Sequence, residues 1–92
     1  MVERRLAQTV ARLSTLREQL AQVDEQYAVV TDEASDLELR ALVSETPLSI
    51  RDAAESRKHA DAMARSRARL IESIDELQRR QDELLDELSG VR

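Results

Sequence analysis

Apolar residues recur at alternating steps of three and four through the first half of this chain, and this period constrains its fold more than any other feature. With the seven positions of the repeat lettered a to g, eleven of the twelve a and d positions from Val2 to Ala41 are apolar. The a positions are Leu6, Leu13, Leu20, Tyr27, Ala34 and Ala41, and the d positions are Val2, Thr9, Leu16, Val23, Val30 and Leu37. Since no glycine or proline interrupts this stretch, the pattern predicts a long helix with one apolar seam of the coiled-coil type.

The same pattern restarts after Pro47, the one proline of the chain. The a positions are then Ala53, Ala60, Arg67, Ile74, Gln81 and Leu88, and the d positions are Ser56, Met63, Leu70, Leu77, Leu84 and Val91. Inside a helix, a proline removes a hydrogen bond and clashes with the preceding turn, whereas the first turn of a helix accepts it. Pro47 therefore marks a break between two helices.

The side chains near Pro47 are suited to capping the second helix. Thr46 can accept a hydrogen bond from a backbone N–H of the first turn, and Ser49 with Asp52 is an alternative capping pair. We predict one domain over residues 1–92, with helix 1 over about 2–44, a turn over about 45–48 and helix 2 over about 49–90.

The distribution of charge indicates how the two helices pair. Residues 1–20 carry a net charge of +2 and residues 21–39 carry −6, whereas 51–69 carry +3 and 70–92 carry −4. When the chain folds back on itself, segments of opposite charge lie side by side, but a parallel homodimer would place −6 against −6. The fold class that we predict is therefore all-α, an antiparallel two-helix coiled-coil hairpin.

The composition of the seam predicts the register of the two helices. If the numbers of facing residues sum to 90, Leu13 faces Leu77, and Thr9 shares a layer with Gln81, where each can satisfy the other. This register also pairs Leu20 with Leu70, Leu6 with Leu84, Arg40 with Asp52, Arg5 with Glu87 and Glu38 with Arg57. It places Arg67 opposite Val23, from where its head can extend towards Asp24 or another acid on helix 1. A register one heptad away, with a sum of 97, stays open and would separate Thr9 from Gln81.

One flank of the seam is more apolar than a two-stranded coiled coil requires. Val10, Ile71 and Leu85 occupy e positions, where such a coil places charge, and Ala64 continues the row. A widened apolar stripe favours packing against further helices. We therefore predict self-association through Val10, Ile71 and Leu85, with a homodimer forming a four-helix bundle.

Composition excludes several classes of protein. One glycine, Gly90, is too few for the turns of a β-sandwich, a Rossmann unit or a phosphate-binding loop, and the absence of cysteine excludes disulfides and thiolate zinc sites. His59 lies one helical turn after Glu55, but no further metal ligand has a suitable spacing, so His59 is expected to pair with Glu33 or Glu55. We expect no metal, no cofactor and no enzymatic activity.

Charge and hydropathy indicate the surroundings in which the chain works. A net charge of −5 argues against nucleic-acid binding, despite the basic run of Arg57, Lys58, Arg65, Arg67 and Arg69. No apolar run approaches the ~20 residues that a membrane span needs, and the first residues lack the apolar core of a signal peptide. We expect a cytoplasmic protein, and the excess of 13 Arg over one Lys is typical of GC-rich bacterial coding.

The residues around the predicted turn are unusually aliphatic. They are Leu39, Leu42, Val43, Leu48 and Ile50, with Glu45, Arg51 and Asp52 around them. Either Leu48 or Ile50 folds back onto helix 1 as a hydrophobic staple, or the aliphatic side chains stay exposed as a docking surface. We expect an adaptor-like interaction protein that binds a protein partner through Leu42, Val43, Glu45, Leu48, Ile50 and Asp52.

A long antiparallel hairpin with acidic residues at its tip resembles the coiled-coil domain of the Gre and DksA type factors. Those factors insert the tip into the secondary channel of bacterial RNA polymerase, where tip carboxylates help to hold a magnesium ion. The resemblance is one of architecture, and no tip motif of those factors is present. It implies a transcription regulator as the alternative function, with Glu45 and Asp52 as the tip carboxylates.

Overall fold

In a computed structural model, residues 1–90 are described, and they form two long helices joined by a two-residue turn. Helix α1 spans Val2–Ser44 and helix α2 spans Pro47–Ser89, each with 43 residues. No strand occurs among the described residues, so the predicted all-α helical hairpin is confirmed. In this part of the chain, neither helix has an apolar stretch long enough to cross a membrane. Val91, predicted at a d position, lies outside the described residues.

Burial along both helices follows the heptad pattern. The buried side chains are Thr9, Leu13, Leu16, Ala34, Ala53, Ala60, Ile74 and Leu84, and all of them occupy a or d positions. Of the described a and d positions, Leu88 alone is exposed, at 49%. The seam prediction is wrong at Leu88 because its facing residue, Val2, is the first of α1, and no further turn of that helix covers it.

The described chain divides into two compact units, and the first joins Met1–Ala21 to the described part of Ala68–Arg92. Its core consists of Leu13, Leu16 and Ile74, with Leu20, Leu70 and Leu77 packed against them. These six residues are three of the facing pairs that a sum of 90 predicts. In the register with a sum of 97, Gln81 would face Leu16 instead.

The polar layer predicted in the first unit is not formed as expected. The hydroxyl of buried Thr9 donates a hydrogen bond to the backbone carbonyl of Arg5, at 2.9 Å. Among the described residues, no hydrogen bond joins Thr9 to Gln81 and no ion pair joins Arg5 to Glu87. A threonine in a helix can satisfy its hydroxyl on the preceding turn, so it needs no partner across the seam.

The second unit spans Gln22–Arg67 and contains the turn. Two of the predicted ion pairs are formed here, because Arg57 binds Glu38 and Arg67 binds Asp24. The third predicted pair, Arg40 with Asp52, is not an ion pair in the structure. An exposed ion pair contributes little to the free energy of folding, so Arg40 and Asp52 gain little by pairing with each other rather than with water.

The turn consists of Glu45 and Thr46. Glu45 has a φ of 55°, in the left-handed region, and its N–H donates to the carbonyl of Ala41 at 3.0 Å, which closes α1. The Thr46 hydroxyl accepts a hydrogen bond from the N–H of Ser49 at 3.1 Å, so Thr46 caps α2 and the alternative pair of Ser49 with Asp52 does not. Because Pro47 fits the first helical position, α2 begins there, earlier than the predicted start near residue 49.

Glycine at position 45 is expected to raise the free energy of unfolding by about 1 kcal/mol. A left-handed conformation costs an L-residue roughly 1–2 kcal/mol, and the extra freedom of glycine in the unfolded chain offsets part of that gain. Urea unfolding of Glu45→Gly, followed by circular dichroism, measures the change. Leu42→Gly, a glycine in the last turns of α1, is the control and should lower stability by about 1 kcal/mol. Equal losses in the two variants would contradict the expectation.

Candidate functional site

The aliphatic side chains around the turn are exposed to solvent. The exposed fractions of Leu39, Leu42, Val43, Leu48 and Ile50 lie between 54% and 81%. A hydrophobic staple would bury Leu48 or Ile50 against α1, so the staple interpretation is wrong. The turn is closed by backbone and hydroxyl hydrogen bonds instead, which leaves the five side chains free. We call these five residues, with Glu45 and Asp52, the tip surface.

The tip surface has two sides. By heptad position, Leu42 and Ile50 lie at b and e positions on one side of the seam, whereas Val43 and Leu48 both lie at c positions on the other. A groove occurs on the side of Val43. The residues that line it are Leu37, Leu39, Arg40, Val43, Ser44, Ser49 and Asp52, and we call it the tip groove.

Three hydroxyl groups join the end of α1 to the start of α2 beside this groove. The Oγ atoms of Ser44 and Ser49 are 2.8 Å apart, and Thr46 Oγ1 lies 2.9 Å from Ser49 Oγ. Ser49 also donates to the carbonyl of Thr46, at 2.9 Å, and Ser44 lies 2.8 Å from the carbonyl of Arg40. The backbone beneath the tip surface is therefore cross-linked by short-range hydrogen bonds.

Charges near the tip differ in whether they have partners within the chain. Arg57 binds Glu38 through two hydrogen bonds, with Nη2 at 2.6 Å and Nε at 2.9 Å from the two carboxylate oxygens. These hydrogen bonds lower the pKa of the Glu38 carboxyl and raise the pKa of Arg57. By contrast, the side chains of Arg40 and Asp52 have no ion pair or hydrogen bond in the described chain. Both charges at the tip groove are available to a partner.

His59 lies on the same side of the second unit as the tip groove, at a g position. It borders a second groove with Val23, Gln26, Ala62, Met63 and Ser66. The predicted pairing with Glu33 or Glu55 is absent from the described residues, because all three side chains are solvated. Over the same residues, no group of three or more histidine or carboxylate side chains is arranged to hold a metal ion.

The predicted self-association row belongs to the first unit. Val10 and Leu85 are 48% and 43% exposed, and Ile71 is half-buried. The row is interrupted, because Arg17 and Gln78 occupy e positions between its members and line a polar groove with Gln81 and Asp82. Fewer apolar side chains are exposed in this row than at the tip surface.

Of the residues that line the tip groove, Leu39, Val43 and Asp52 were expected at the tip from the sequence, whereas Leu37, Arg40, Ser44 and Ser49 were not. The sequence pattern places Leu37 in the seam, pairs Arg40 with Asp52, and predicts a helix end at Ser44 and a cap at Ser49. Their positions could have identified them, because Ser44 follows Val43, Ser49 lies between Leu48 and Ile50, and both Leu37 and Arg40 lie within two turns of Leu42.

Comparisons with known protein families, with curated proteins and with solved structures find no match for this chain. A functional proposal therefore depends on the residues of the chain and on their geometry. Three features are available for such a proposal: an exposed aliphatic surface, a hydrogen-bonded turn beneath it, and two unpaired charges of opposite sign.

Proposed function

We propose that this chain is a non-enzymatic interaction protein of the bacterial cytoplasm, which presents the tip surface to a protein partner. The observation that carries the proposal is the exposure of five aliphatic side chains, each more than half exposed, around one two-residue turn. A concentration of exposed aliphatic side chains around one turn typically marks a binding site, since scattered single residues are the norm elsewhere on a protein surface.

The backbone of the turn is already ordered in the free chain, and this favours binding. The hydroxyl groups of Ser44, Thr46 and Ser49 and the backbone bond from Glu45 to Ala41 already fix the turn. A fixed backbone reduces the conformational entropy that binding would remove. The unpaired charges of Arg40 and Asp52 would orient a partner, because electrostatic complementarity contributes more to specificity than to affinity.

Leu48→Ser combined with Ile50→Ser tests the proposal. Neither residue lies in the seam, so the helical circular dichroism signal should stay within error of the wild type while partner capture falls about tenfold or more. Capture is measured by photocrosslinking from position 43 in cells of the native host, with mass spectrometry of the products. Leu88→Ser, a matched change at 49% exposure in the first unit, should leave capture unchanged.

Two outcomes would count against the docking proposal. If the tip did not contact the partner, the double variant Leu48→Ser with Ile50→Ser would retain full capture of the partner. A collapse of helicity in the serine pair would instead show that Leu48 and Ile50 stabilise the hairpin, and the binding surface would have to lie elsewhere.

One observation favours the alternative, a regulator that acts in the secondary channel of RNA polymerase. Glu45 occupies a left-handed conformation that favours glycine, and unfavourable backbone conformations concentrate at functional sites. Glu45→Ala with Asp52→Ala would abolish an effect on transcription that depends on tip carboxylates. The same pair would change hydrophobic docking about threefold or less, since Leu48 and Ile50 remain.

We also propose that the chain forms a homodimer, a four-helix bundle, through Val10, Ile71 and Leu85. The support is the partial exposure of these side chains and the small core that two helices bury. Ile71→Glu with Leu85→Glu should shift the sedimentation of the protein towards the monomer, because two charges would be buried at the interface. Ala11→Glu, an exposed position off this flank, is the control and should not shift it. A wild type that stays monomeric at high micromolar concentration would contradict the proposal.

A further inference from the structure

We propose that the tip groove binds a cationic amphipathic helix of the protein partner, with aliphatic residues along one face and lysine or arginine residues beside them. This inference rests on the proposed function and names the chemistry of the partner. It concerns the side of the second unit on which the tip groove lies. This side consists of the c and g positions of Gln22–Arg67, and we call it the groove side.

Acidic residues dominate the charge of the groove side. Its charged side chains are four carboxylates and one guanidinium, all exposed, and they are those of Glu33, Asp36, Asp52, Glu55 and Arg40. In the described chain, none of these five side chains forms an ion pair or a hydrogen bond. The groove side therefore carries a net charge of −3 when His59 is neutral.

Carboxylates on the other side of the second unit are already paired. Glu38 and Asp24 occupy e positions, where Arg57 and Arg67 bind them. These two guanidinium groups are held away from the groove side, so the unpaired negative charge lies beside the exposed aliphatic residues of the tip. A second copy of the chain, a nucleic acid and an anionic membrane would all present charge of the same sign. Charge complementarity therefore favours a cationic partner.

The aliphatic residues of the groove side indicate the shape of this partner. Val29 and Val43, at c positions of α1, are 66% and 81% exposed, and they lie about 21 Å apart along the helix. Leu48, at a c position of α2, is 64% exposed. The backbone groups of α1 and α2 are hydrogen-bonded within each helix, so a partner here has to satisfy its own backbone. A helix does so, and it presents aliphatic residues at every third or fourth position over such a length.

Two synthetic peptides test the inference. Each has about 18 residues, capped ends and leucine at a and d positions, and the other positions are all lysine in one peptide and all glutamate in the other. Fluorescence anisotropy of the labelled peptides measures their binding to the whole chain at about 0.15 M salt. We expect the lysine peptide to bind at least about tenfold more tightly than the glutamate peptide. Val43→Ser with Leu48→Ser should weaken its binding about tenfold, because the aliphatic centre of the contact is lost.

A matched pair of charge variants locates the contact. Asp36→Asn with Glu55→Gln removes two carboxylates from the groove side and should weaken binding of the lysine peptide about fivefold. Glu25→Gln with Asp61→Asn removes the same charge from exposed f and b positions outside the groove side, and should weaken it less than about twofold. Equal losses in the two double variants would show attraction to an acidic protein as a whole, and would overturn the inference.

Two further results would overturn it. One is equal or tighter binding of the glutamate peptide, and the other is no binding of the lysine peptide at about 100 μM. Neither result refutes the proposed function, which is tested separately by capture in cells. If Leu48→Ser with Ile50→Ser still abolishes that capture, the tip surface binds a partner of different charge.

Discussion

Leu84→Ala is expected to lower the free energy of unfolding by about 3 kcal/mol. Leu84 has no exposed surface, and truncation of a buried leucine removes apolar burial and leaves a cavity, with typical losses of 2–5 kcal/mol. Two packed helices have few neighbouring side chains that could move into the space. Since the stability of a whole domain is typically 5–15 kcal/mol, this loss would shift the thermal midpoint by many degrees.

Leu85→Ala is the matched control for this substitution. The two leucines are adjacent in α2, but Leu85 is 43% exposed, so its truncation should lower stability by about 1 kcal/mol or less. Urea unfolding of both variants at one protein concentration measures the difference, because any self-association makes the midpoint depend on concentration. Similar losses for the two variants would show that Leu84 does not lie in the seam.

Cysteines at positions 13 and 77 are expected to form a disulfide within one chain almost completely. Leu13 and Leu77 belong to the same core cluster, and a disulfide requires Cα atoms about 4.4–6.8 Å apart. Cysteines at positions 13 and 84 test the register with a sum of 97. One heptad of helix is about 10.5 Å long, so the second pair should remain largely reduced under the same conditions.

The mass of the oxidised product distinguishes the possible arrangements. A disulfide within the monomer at positions 13 and 77 would agree with a hairpin in the register of 90. Exclusive cross-linking between chains would indicate that the two helices pair with those of another copy. Preferential oxidation of the 13 and 84 pair would indicate the slipped register.

The sequence was sufficient for the helices and the seam because both depend on a repeated pattern. A heptad averages over many positions, so every described a and d residue except Leu88 is buried or half-buried, although Arg67 and Gln81 interrupt the pattern. The contact of Arg67 with Asp24 followed from the same geometry, since a cation at a seam position has to extend towards an acid on its flank. Predictions that depend on a repeated pattern therefore hold even where single residues depart from it.

Details that depend on one competing interaction were not predictable in this way. Thr9 had a partner available on its own helix, and Arg40 with Asp52 lacked a reason to prefer each other over water. Glu45 gave no signal of a left-handed conformation, because glycine is the residue that usually marks it. The sequence identified the aliphatic residues of the tip surface but not whether they are exposed. They are exposed because hydroxyl hydrogen bonds close the turn, without a hydrophobic staple between Leu48 or Ile50 and α1.

The two units differ in what they bury, and this difference affects how the tip end fluctuates. The buried residues of Gln22–Arg67 are Ala34, Ala53 and Ala60, whereas leucines and an isoleucine are buried in the first unit. A buried leucine contributes roughly 2 kcal/mol more than an alanine, at about 0.8 kcal/mol for each carbon. Backbone amides of the second unit should therefore open and exchange with solvent deuterium more readily. Any molecule bound at the tip would slow that exchange, so the amides of the second unit should report its occupancy.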